Sequence, residues 1–411
     1  MANRRVVVTG VGMLSAVGAG REATWQALLA GTNGIRPITR VETADLPTRV
    51  AGEVPEFDLS TYLDRKEAKR MDRFTHLAVM ASGEALEHSG LDVAADADEI
   101  GCMIGSGIGG METLEQEFKV FFERPTRVSP FLVPMFIPDM AAGQTSIRFG
   151  LRGPNFNTVS ACASGADAIG TSFETIRRGD AVAMVTGGAE ASVTRMTIAA
   201  FAASRALSRN NDPETASRPF DLDRDGFVLG EGAGILVLED REHAEARGAA
   251  ILAEVTSYAQ SADAFHVTQP SEGGEGAARA MRLALKKAGI SPAEIDYINA
   301  HGTSTPLNDK FETMSLKAVF GESAPGIPIS SSKSMFGHTL GAAGGLEAAV
   351  AVLSIRDQKI HQTLHLLTPD PDCDLDYVPG APRDLALKYA MSNSLGFGGH
   401  NSCLIFNRYE G

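Results

Sequence analysis

Short apolar runs alternate with helical patterns along most of the 411-residue chain. Three segments have apolar residues at helical spacing and end in glycine, the usual C-terminal signal of a helix; they read "ATWQALLAG", "FTHLAVMASGEALEHSG" and "ARAMRLALKKAG". Four apolar runs of strand length predict buried strands at residues 4–10, 99–107, 181–188 and 232–239. This alternation predicts an α/β protein built in layers.

The pattern starts again near residue 240. The polar helical stretch "DREHAEARGA" closes the first series, and "ILAEVTSYAQ" (251–260) opens a second one. No low-complexity linker separates the two series, although their sequences are too different to identify an internal repeat. We therefore predict two α/β halves, residues 1–250 and 251–411, packed as one body.

The charge and the cysteines exclude several classes of function. A formal net charge of −14 argues against non-specific binding to nucleic acid or to an anionic membrane. Four cysteines stand far apart without a CxxC pair, so neither a disulfide framework nor a zinc site is expected; they are Cys102, Cys162, Cys373 and Cys403. The chain shows no signal peptide and no run of ~18 apolar residues. These features predict a cytoplasmic protein without a bound metal.

Two glycine patterns and one acidic run suggest ligand sites that their surroundings do not support. "TGVGMLS" and "GSGIGG" resemble dinucleotide-binding loops, but neither has the acidic residue expected ~20 positions further on. "DLDRDGFVLGEG" (221–232) resembles the start of a calcium loop, but Gly232 stands where a glutamate is needed. We interpret the acidic run as a turn.

Cys162 is the first candidate for chemistry. It lies in "VSACASGADAIG", between a short β-like segment and a helical stretch. A free cysteine is often no more than a small buried hydrophobic residue. A helix N-terminus, however, lowers the pKa of a thiol because its N–H groups and dipole favour an anion. Small neighbours also leave room for a substrate carbonyl, which makes Cys162 a candidate nucleophile.

Three histidines lie in glycine-, serine- or threonine-rich loops, where α/β proteins often place functional residues. His301 lies in "NAHGTSTPLND", after a strand-like segment. His338 lies in "SSSKSMFGHTLGAAGG", five residues after Lys333, and His400 lies in "GFGGHNS". His301 and His338 are the stronger candidates as partners of Cys162.

Together these stretches resemble the β-ketoacyl-acyl-carrier-protein synthases. "VSACASGADAIG", "NAHGTSTPLND", "SSSKSMFGHTLGAAGG" and "NSLGFGGHNS" occur in that family's order and with its long spacings. The likeness runs from "RRVVVTGVGMLS" to "LIFNRYEG" and is greatest to the type II condensing enzymes of dissociated fatty acid synthesis. It implies the thiolase fold, with two similar halves stacked as α-β-α-β-α layers, and a homodimer.

The resemblance also implies the reaction, an acyl transfer. Cys162 holds an acyl chain as a thioester. His301 and His338 promote the loss of CO2 from malonyl-acyl-carrier protein and stabilise the resulting enolate, which attacks the thioester. The product is 3-oxoacyl-acyl-carrier protein. No cofactor is implied, because the substrates arrive on the phosphopantetheine arm of the acyl carrier protein.

Other residues take supporting roles by the same resemblance. Backbone N–H groups of Cys162 and Phe397 form the oxyanion hole, and the Phe397 side chain gates entry. Lys333 supports the site electrostatically. Residues assigned to its surroundings are Glu347, Asp309 and Glu312; to the pantetheine arm, Thr303 and Thr305; and to the acyl pocket, Ile108 and Phe201. Ile108 and Phe201 fit simple core packing equally well.

A basic stretch, "YLDRKEAKRMDR", is a candidate docking surface for an acidic carrier protein. It places Arg65, Lys69 and Arg73 four residues apart, which predicts one face of a helix. Further candidates elsewhere in the chain are Arg124, Arg127 and Arg205. The interspersed acids allow the alternative that this is only a solvated face.

Related activities are distinguished by single positions. A thiolase would use a second catalytic cysteine, for which Cys403 is the candidate. A ketoacyl synthase III would carry Asn in place of His338. A chain-length factor would lack Cys162, whereas an aromatic-polyketide ketosynthase remains open. Phe336, Phe311 and Leu395 depart from common family forms, so the tunnel shape and the preferred chain length are not predicted.

Overall fold

The computed structural model describes residues 4–411. Its strands are β1 (Val6–Ser15), β2 (Gly18–Ala19), β3 (Arg36–Pro37), β4 (Val50–Ala51), β5 (Ile100–Gly105), β6 (Asn155–Phe156), β7 (Ala183–Glu190), β8 (Gly232–Asp240), β9 (Ala253–Ala262), β10 (Tyr297–Asn299), β11 (Ile329–Ser330), β12 (Lys359–Ile360), β13 (Arg383–Asp384), β14 (Tyr389–Gly396) and β15 (His400–Asn407). The four strands predicted in the first half are confirmed as β1, β5, β7 and β8.

The helices separate and cover these strands. They are α1 (Arg21–Leu29), α2 (Arg65–Ala68), α3 (Arg73–Ser89), α4 (Val93–Asp96), α5 (Met111–Glu123), α6 (Leu132–Phe136), α7 (Met140–Phe149), α8 (Ser164–Arg178), α9 (Arg195–Ala203), α10 (Arg241–Ala246), α11 (Glu275–Ala288), α12 (Pro306–Phe320), α13 (Lys333–Phe336) and α14 (Ala343–Asp357). Glycines end two of them as predicted: Gly90 and Gly289 follow α3 and α11 with φ of 61° and 71°, conformations that favour glycine. No helix of residues 4–411 is long and apolar enough to cross a membrane.

The long strands form an 11-stranded sheet in the order β11-β10-β14-β15-β9-β1-β8-β7-β5-β6, with β2 attached to β1. Strand β1 is antiparallel to β8 of the first half and also to β9 of the second half. Val6 consequently lies opposite both Asp240 and Val255. The two half-sheets are therefore joined by backbone hydrogen bonds through β1.

Helices divide the molecule into five layers. Helix α3 covers one face of β1, β7 and β8, and α11 packs on β9 and β15 at the opposite side of the molecule. Between the half-sheets lie α8 and α14, each of which contacts strands of both halves. This arrangement confirms the predicted thiolase fold with α-β-α-β-α layers. The boundary at residue 250 lies between α10 and β9 and stays a prediction.

Strand residues alternate between the two sides of each half-sheet. In β8, Ile235 and Val237 join the hydrophobic cluster beneath α3, whereas Leu236 and Leu238 join the central cluster around α8 and α14. Each such aliphatic side chain contributes ~1.5–3 kcal/mol by leaving water. Because both faces are buried, the strands are nearly continuous apolar runs, which is why they could be predicted.

The basic stretch does not form a single helix. Helix α2 ends at Ala68 and α3 begins at Arg73. Asp72 separates them because its carboxylate accepts the backbone N–H groups of Phe74 at 3.3 Å and Thr113 at 2.7 Å, which favours a new helix start. The prediction that Arg65, Lys69 and Arg73 share one helical face is therefore wrong.

Candidate active site

Cys162 lies in a 3-10 turn, Ala161–Ala163, immediately before α8. The turn is closed by Ser164, whose hydroxyl accepts the N–H of Ser160 at 2.9 Å and donates to the Ala161 carbonyl at 2.7 Å. Ala161 has φ of 51°, an uncommon conformation for a residue with a side chain. The predicted strand-to-helix position of Cys162 is confirmed, although the preceding strand is only β6.

The turn between β14 and β15 approaches this cysteine closely. A Cβ on Gly396 would lie 2.7 Å from the Ser160 carbonyl oxygen and 3.3 Å from the Cys162 nitrogen. Only glycine fits this approach without movement of the backbone. The next residue, Phe397, has its backbone N–H near the Cys162 sulfur, and this N–H helps to lower the pKa of the thiol. Its role in the oxyanion hole stays a prediction.

Both histidines present the same nitrogen to the reaction centre. The Nε2 of His338 lies 3.0 Å from the Cys162 Sγ, while the His338 Nδ1 accepts the N–H of Leu340 at 3.3 Å. The His301 Nδ1 accepts from the Lys333 ammonium at 3.4 Å. A neutral imidazole with Nδ1 as acceptor carries its proton on Nε2. The hydrogen bonds thus assign Nε2–H donors to both rings.

The predicted Cys-His-His cluster is assembled at short range. A ligating atom of each of Cys162, His301 and His338 lies within 4.8 Å of the other two, and the imidazole centroids are 5.3 Å apart at 86°. The edge-on ring of Phe227 packs 5.2 Å from that of His338. This spacing also suits a metal ion, but the adjacent Lys333 ammonium opposes a second cation through like-charge repulsion.

Burial is the main cause of the pKa shifts in this cluster. It raises the pKa of the Cys162 thiol to about 12, an effect that the charge of Lys333 and the Phe397 N–H partly oppose. The expected lowering of this pKa at the helix start therefore does not prevail. Burial, with the charge of Lys333, holds the pKa of His301 and His338 well below the usual value. Both imidazoles are neutral at physiological pH.

Buried charges support His301 from behind. Lys333 donates to the His301 carbonyl at 2.6 Å and to the Glu347 carboxylate. Glu312 accepts the backbone N–H groups of His301 and Gly302, each at 2.8 Å. Burial raises the pKa of both carboxyl groups to about 7. These contacts fix the backbone around His301 and hold the Lys333 ammonium against its ring.

A cavity of about 450 Å³ opens over Cys162. The predicted pantetheine, gate and acyl-pocket residues all line it, and they are Thr303, Thr305, Phe397, Ile108 and Phe201. The two threonine hydroxyls are 2.9 Å apart, and the rings of Phe201 and Phe397 are 6.3 Å apart. Leu395 also lines the cavity, whereas Phe336 is buried in the central core.

One glycine pattern and the acidic run that resemble ligand sites form hydrogen bonds within the protein. In "GSGIGG", the Gly107 N–H donates to the buried Glu190 carboxylate at 2.7 Å, which also accepts the Gly341 N–H at 3.1 Å. A carboxylate thus occupies the place of a phosphate. In the acidic run, Asp221 accepts the backbone N–H groups of Leu367 and Thr368. Asp225 accepts the Ser208 hydroxyl and the Arg209 backbone N–H. The interpretation of this run as a turn agrees with these contacts.

Several functional positions were missed in the sequence. Asp263 lines the cavity and ties the glycine turn in place: its carboxylate accepts from Asn401 at 2.8 Å and its N–H donates to the Gly399 carbonyl at 2.9 Å. Phe227 packs on His338, and Arg224 and Glu190 hold neighbouring loops. The only sequence signal was "DRDG", which also fits an ordinary turn.

All but one of the docking candidates are exposed. Arg65, Lys69, Arg124, Arg127 and Arg205 lie on the surface, and Arg205 also lines the cavity. The guanidinium of Arg70, in the basic stretch, stacks over Phe131 at 4.6 Å, so the basic stretch and the 124–131 segment are neighbours. Arg73 is an exception: its Nε donates to the buried Glu231 carboxylate at 2.8 Å, so it is removed from the docking set.

A thiolase fold with a buried Cys-His-His cluster under an apolar cavity defines the class of carbon–carbon condensing enzymes. The profile of the beta-ketoacyl synthase N-terminal domain matches residues 3–244, and that of the C-terminal domain matches residues 252–367. The chain belongs to the beta-ketoacyl synthase family.

Relatives and solved structures agree with this assignment. The 3-oxoacyl-[acyl-carrier-protein] synthase 2 of Staphylococcus aureus (strain COL) is 54% identical over 410 residues, or 99% of both chains. The enzyme of the same name from Synechocystis is 52% identical over 410 residues, again 99% of both chains. The crystal structure of a beta-ketoacyl synthase from Burkholderia phymatum has a TM-score of 0.92 at 39% identity and covers 99% of this chain and all of that one.

Proposed function

We propose that the protein is a 3-oxoacyl-acyl-carrier-protein synthase that elongates an acyl chain held on Cys162 with malonyl-acyl-carrier protein. The main support is the position of the Cys162 Sγ, which lies close to two neutral imidazoles beneath a cavity of about 450 Å³. Apolar residues around Cys162 suit an acyl chain, since the cysteine belongs to a hydrophobic cluster with Leu340, Phe227 and Ile198. Thr303 and Thr305 supply polar groups for the pantetheine arm.

In the first half-reaction, the Cys162 sulfur attacks the carbonyl carbon of the acyl thioester. The new carbon–sulfur bond replaces the bond to the pantetheine sulfur, which leaves as a thiol after taking the cysteine's proton. Negative charge develops on the carbonyl oxygen, and the backbone N–H groups of Cys162 and Phe397 stabilise it as preorganised donors. Covalent capture divides one difficult condensation into two easier steps.

In the second half-reaction, the bond between the malonyl carbon and its carboxylate breaks. CO2 leaves and the electron pair forms an enolate, whose oxygen accepts hydrogen bonds from the Nε2–H groups of His301 and His338. The enolate carbon then attacks the acyl thioester, and the Cys162 sulfur leaves as a thiolate that takes up a proton from solvent to regenerate the thiol. Burial, together with the charge of Lys333, keeps both rings neutral, and their Nε2–H groups act as the donors. These steps require no cofactor of the protein's own.

Intact mass spectrometry after incubation with acyl-carrier protein tests this function. We expect a mass gain equal to one acyl group on the native chain and on Cys403→Ala, a buried cysteine that serves as the matched control. Cys162→Gln should gain no mass and should lose condensation, with malonyl decarboxylation measured separately. Condensation by Cys162→Gln at the native rate would overturn the role of Cys162.

A polyketide ketosynthase is the alternative function. A structure described as a type II PKS acyl-carrier protein in complex with its ketosynthase bound to the hexaketide has a TM-score of 0.93 at 34% identity, covering 99% of this chain and all of that one. The higher identity to the synthase 2 enzymes, 54% and 52%, favours fatty acid synthesis. Turnover with carrier proteins loaded with acyl chains of increasing length, followed by product analysis, separates single elongation from repeated unreduced elongation.

Acyl carrier protein is the proposed macromolecular partner. The exposed cations Arg65, Lys69, Arg127 and Arg205 offer complementary charge to an acidic partner in a chain that is itself strongly acidic. Arg205 also lines the cavity through which the pantetheine arm would enter. Four free, buried cysteines support a reducing location such as the cytoplasm.

A second copy of the chain is the other proposed partner. Strand β6 forms one edge of the large sheet, and an uncovered edge strand readily pairs with another chain. Apolar residues of or near this edge are exposed: Phe156 at 43%, Val159 at 57% and Ile147, in α7, at 76%. Patches of this kind mark protein interfaces. We propose a homodimer that covers them.

A further inference from the structure

Arg224 is a buried arginine that does not itself line the cavity but precedes the lining residues Asp225 and Phe227 in the chain. Its guanidinium donates to two consecutive carbonyls, that of Thr305 at 3.2 Å through Nε and that of Pro306 at 3.0 Å through Nη2. Nη1 donates to the Asp221 carbonyl at 2.8 Å. One side chain thus joins the 221–229 segment to the loop that follows His301.

That loop has a backbone that needs external support. Gly302 has φ of 39° and Ser304 has φ of 72°, so two of its residues occupy the left-handed region. The Asp309 carboxylate accepts the N–H groups of Thr303 at 3.0 Å and Ser304 at 3.1 Å. Asp309 therefore binds two backbone N–H groups of the loop, and Arg224 binds the carbonyl groups of the two residues that follow, Thr305 and Pro306.

Two carboxylates keep the guanidinium in this orientation. The Asp370 carboxylate accepts from the Arg224 Nη1, and the Asp309 Oδ2 lies 3.6 Å from its Nε. Asp370 is itself fixed, because its other oxygen accepts the Asp372 N–H at 2.8 Å. A planar guanidinium matches such a divergent set of acceptors, whereas the ammonium of lysine donates from a single point.

We propose that Arg224 is a positioning residue that holds Thr303 and Thr305 in the geometry required by the pantetheine arm. The inference rests on the proposed function, because it assigns the threonine hydroxyls to that arm. They lie 2.9 Å apart on the cavity wall, and Arg224 bonds to the backbone of the second one. Displacement of a substrate-positioning group by about 1 Å costs on the order of 100-fold in rate.

The test compares Arg224→Lys with Arg247→Lys. Arg247 is a matched control because it is a partly buried arginine with bidentate bonds to Glu239, each 2.7 Å, outside the cavity. We expect Arg224→Lys to lower kcat/KM for malonyl-acyl-carrier protein by about 10- to 100-fold, mainly by raising KM. Arg247→Lys should retain the native KM. An unchanged KM in folded Arg224→Lys, or an equal rise in both variants, would overturn the proposal.

Alkylation of Cys162 by iodoacetamide provides the readout that separates this inference from the function itself. Iodoacetamide carries no pantetheine arm, so Arg224→Lys should react at the native rate while carrier-dependent turnover falls. If the native protein forms no acyl adduct at all, the proposed function fails instead. Should Arg224→Lys not fold, Asp370→Asn keeps the arginine but removes the charge that orients it, and a native KM in that folded variant would also overturn the proposal.

Discussion

At the scale of single residues, Cys162 combines a buried thiol with groups that favour its anion. Burial raises the pKa to about 12, so the protonated thiol is the resting form near neutral pH. The Lys333 charge and the Phe397 N–H act in the opposite direction. The site therefore holds most of the cysteine as the less reactive thiol, and the small thiolate fraction limits its rate of reaction with electrophiles.

The first prediction concerns the pH dependence of this thiol. Because its pKa lies well above neutrality, the thiolate fraction should rise about tenfold for each pH unit between pH 7 and 9. The rate of iodoacetamide alkylation, followed by mass spectrometry, should rise accordingly without a plateau. Lys333→Met should react more slowly at each pH, since the charge that lowers the pKa is lost. A plateau below pH 8 in the native protein would contradict a raised pKa.

The reacting residues could be predicted because chemistry restricts their identity and their surroundings. Cys162, His301 and His338 stand in small-residue or glycine-rich motifs that few other functions share. Arg224 and Glu190 could not be found in this way. Each acts by holding backbone groups distant in sequence, such as the Gly341 N–H for Glu190, and a single sequence does not reveal which loops meet.

At the scale of elements, the β14–β15 turn is the part of the fold that completes the site. Its first residue, Gly396, packs on the Cys162 turn, and its second, Phe397, supplies both a backbone donor and a ring at the cavity. Asp263, from the loop that follows β9, fastens the other end of the turn at Gly399 and Asn401. The proposed oxyanion donor therefore depends on a contact between two loops rather than on one element.

The second prediction follows from this contact. Gly396→Ala would place a methyl carbon 2.7 Å from the Ser160 carbonyl oxygen, so the turn must shift and move the Phe397 N–H. We expect acyl transfer to Cys162 to fall by about 100-fold, similar to the loss of one oxyanion donor. Gly326→Ala is the control, because nothing lies within 4 Å of its Cβ. Equal acylation rates in the two folded variants would contradict this role of the turn.

The break between α2 and α3 shows the limit of periodicity as a guide. Arg65, Lys69 and Arg73 have the spacing of one helical face, and the residues between them favour helix. Asp72 nevertheless caps a new helix, partly because its second carboxylate oxygen binds the Thr113 N–H from α5. A tertiary contact thus decided a local structure, and the spacing alone could not predict it.

At the scale of the whole molecule, the layers could be predicted because apolar runs of strand length alternate along the chain with helical segments. The positions of surfaces were harder to predict, since exposure depends on which elements meet. The structure retains Arg65 and Lys69 as exposed docking candidates but turns Arg73 inward to Glu231.

The third prediction tests the docking surface. The double reversal Arg65→Glu and Lys69→Glu should raise KM for acyl-carrier protein about 10-fold or more at low salt, and the effect should shrink as salt screens the charges. The control reverses Arg282 and Lys286, an exposed pair with the same four-residue spacing on α11. The docking assignment is wrong if both double variants have the same KM at low salt.

The fourth prediction concerns the oligomeric state. Light scattering should give the native protein twice the chain mass of 43.3 kDa. Phe156→Asp, which puts a charge on the β6 edge, should shift the population toward monomers, whereas Leu283→Asp on the remote helix α11 should remain a dimer. A monomeric native protein, or a dimer unaffected by Phe156→Asp, would contradict an interface at this edge.

The pairing of β1 with both β8 and β9 has a consequence for biosynthesis. Strand β1 is synthesised well before the long strands that flank it, β8 and β9; the adjacent Arg5 binds Glu254, 249 positions along the chain. Contacts of such long range are slow to form because the chain must close large loops first. The apolar strand Val6–Ser15 therefore stays without its long sheet partners until β8, near the end of the first half, has been made. Until then, exposed apolar surface and unpaired strand edges leave this segment prone to aggregation.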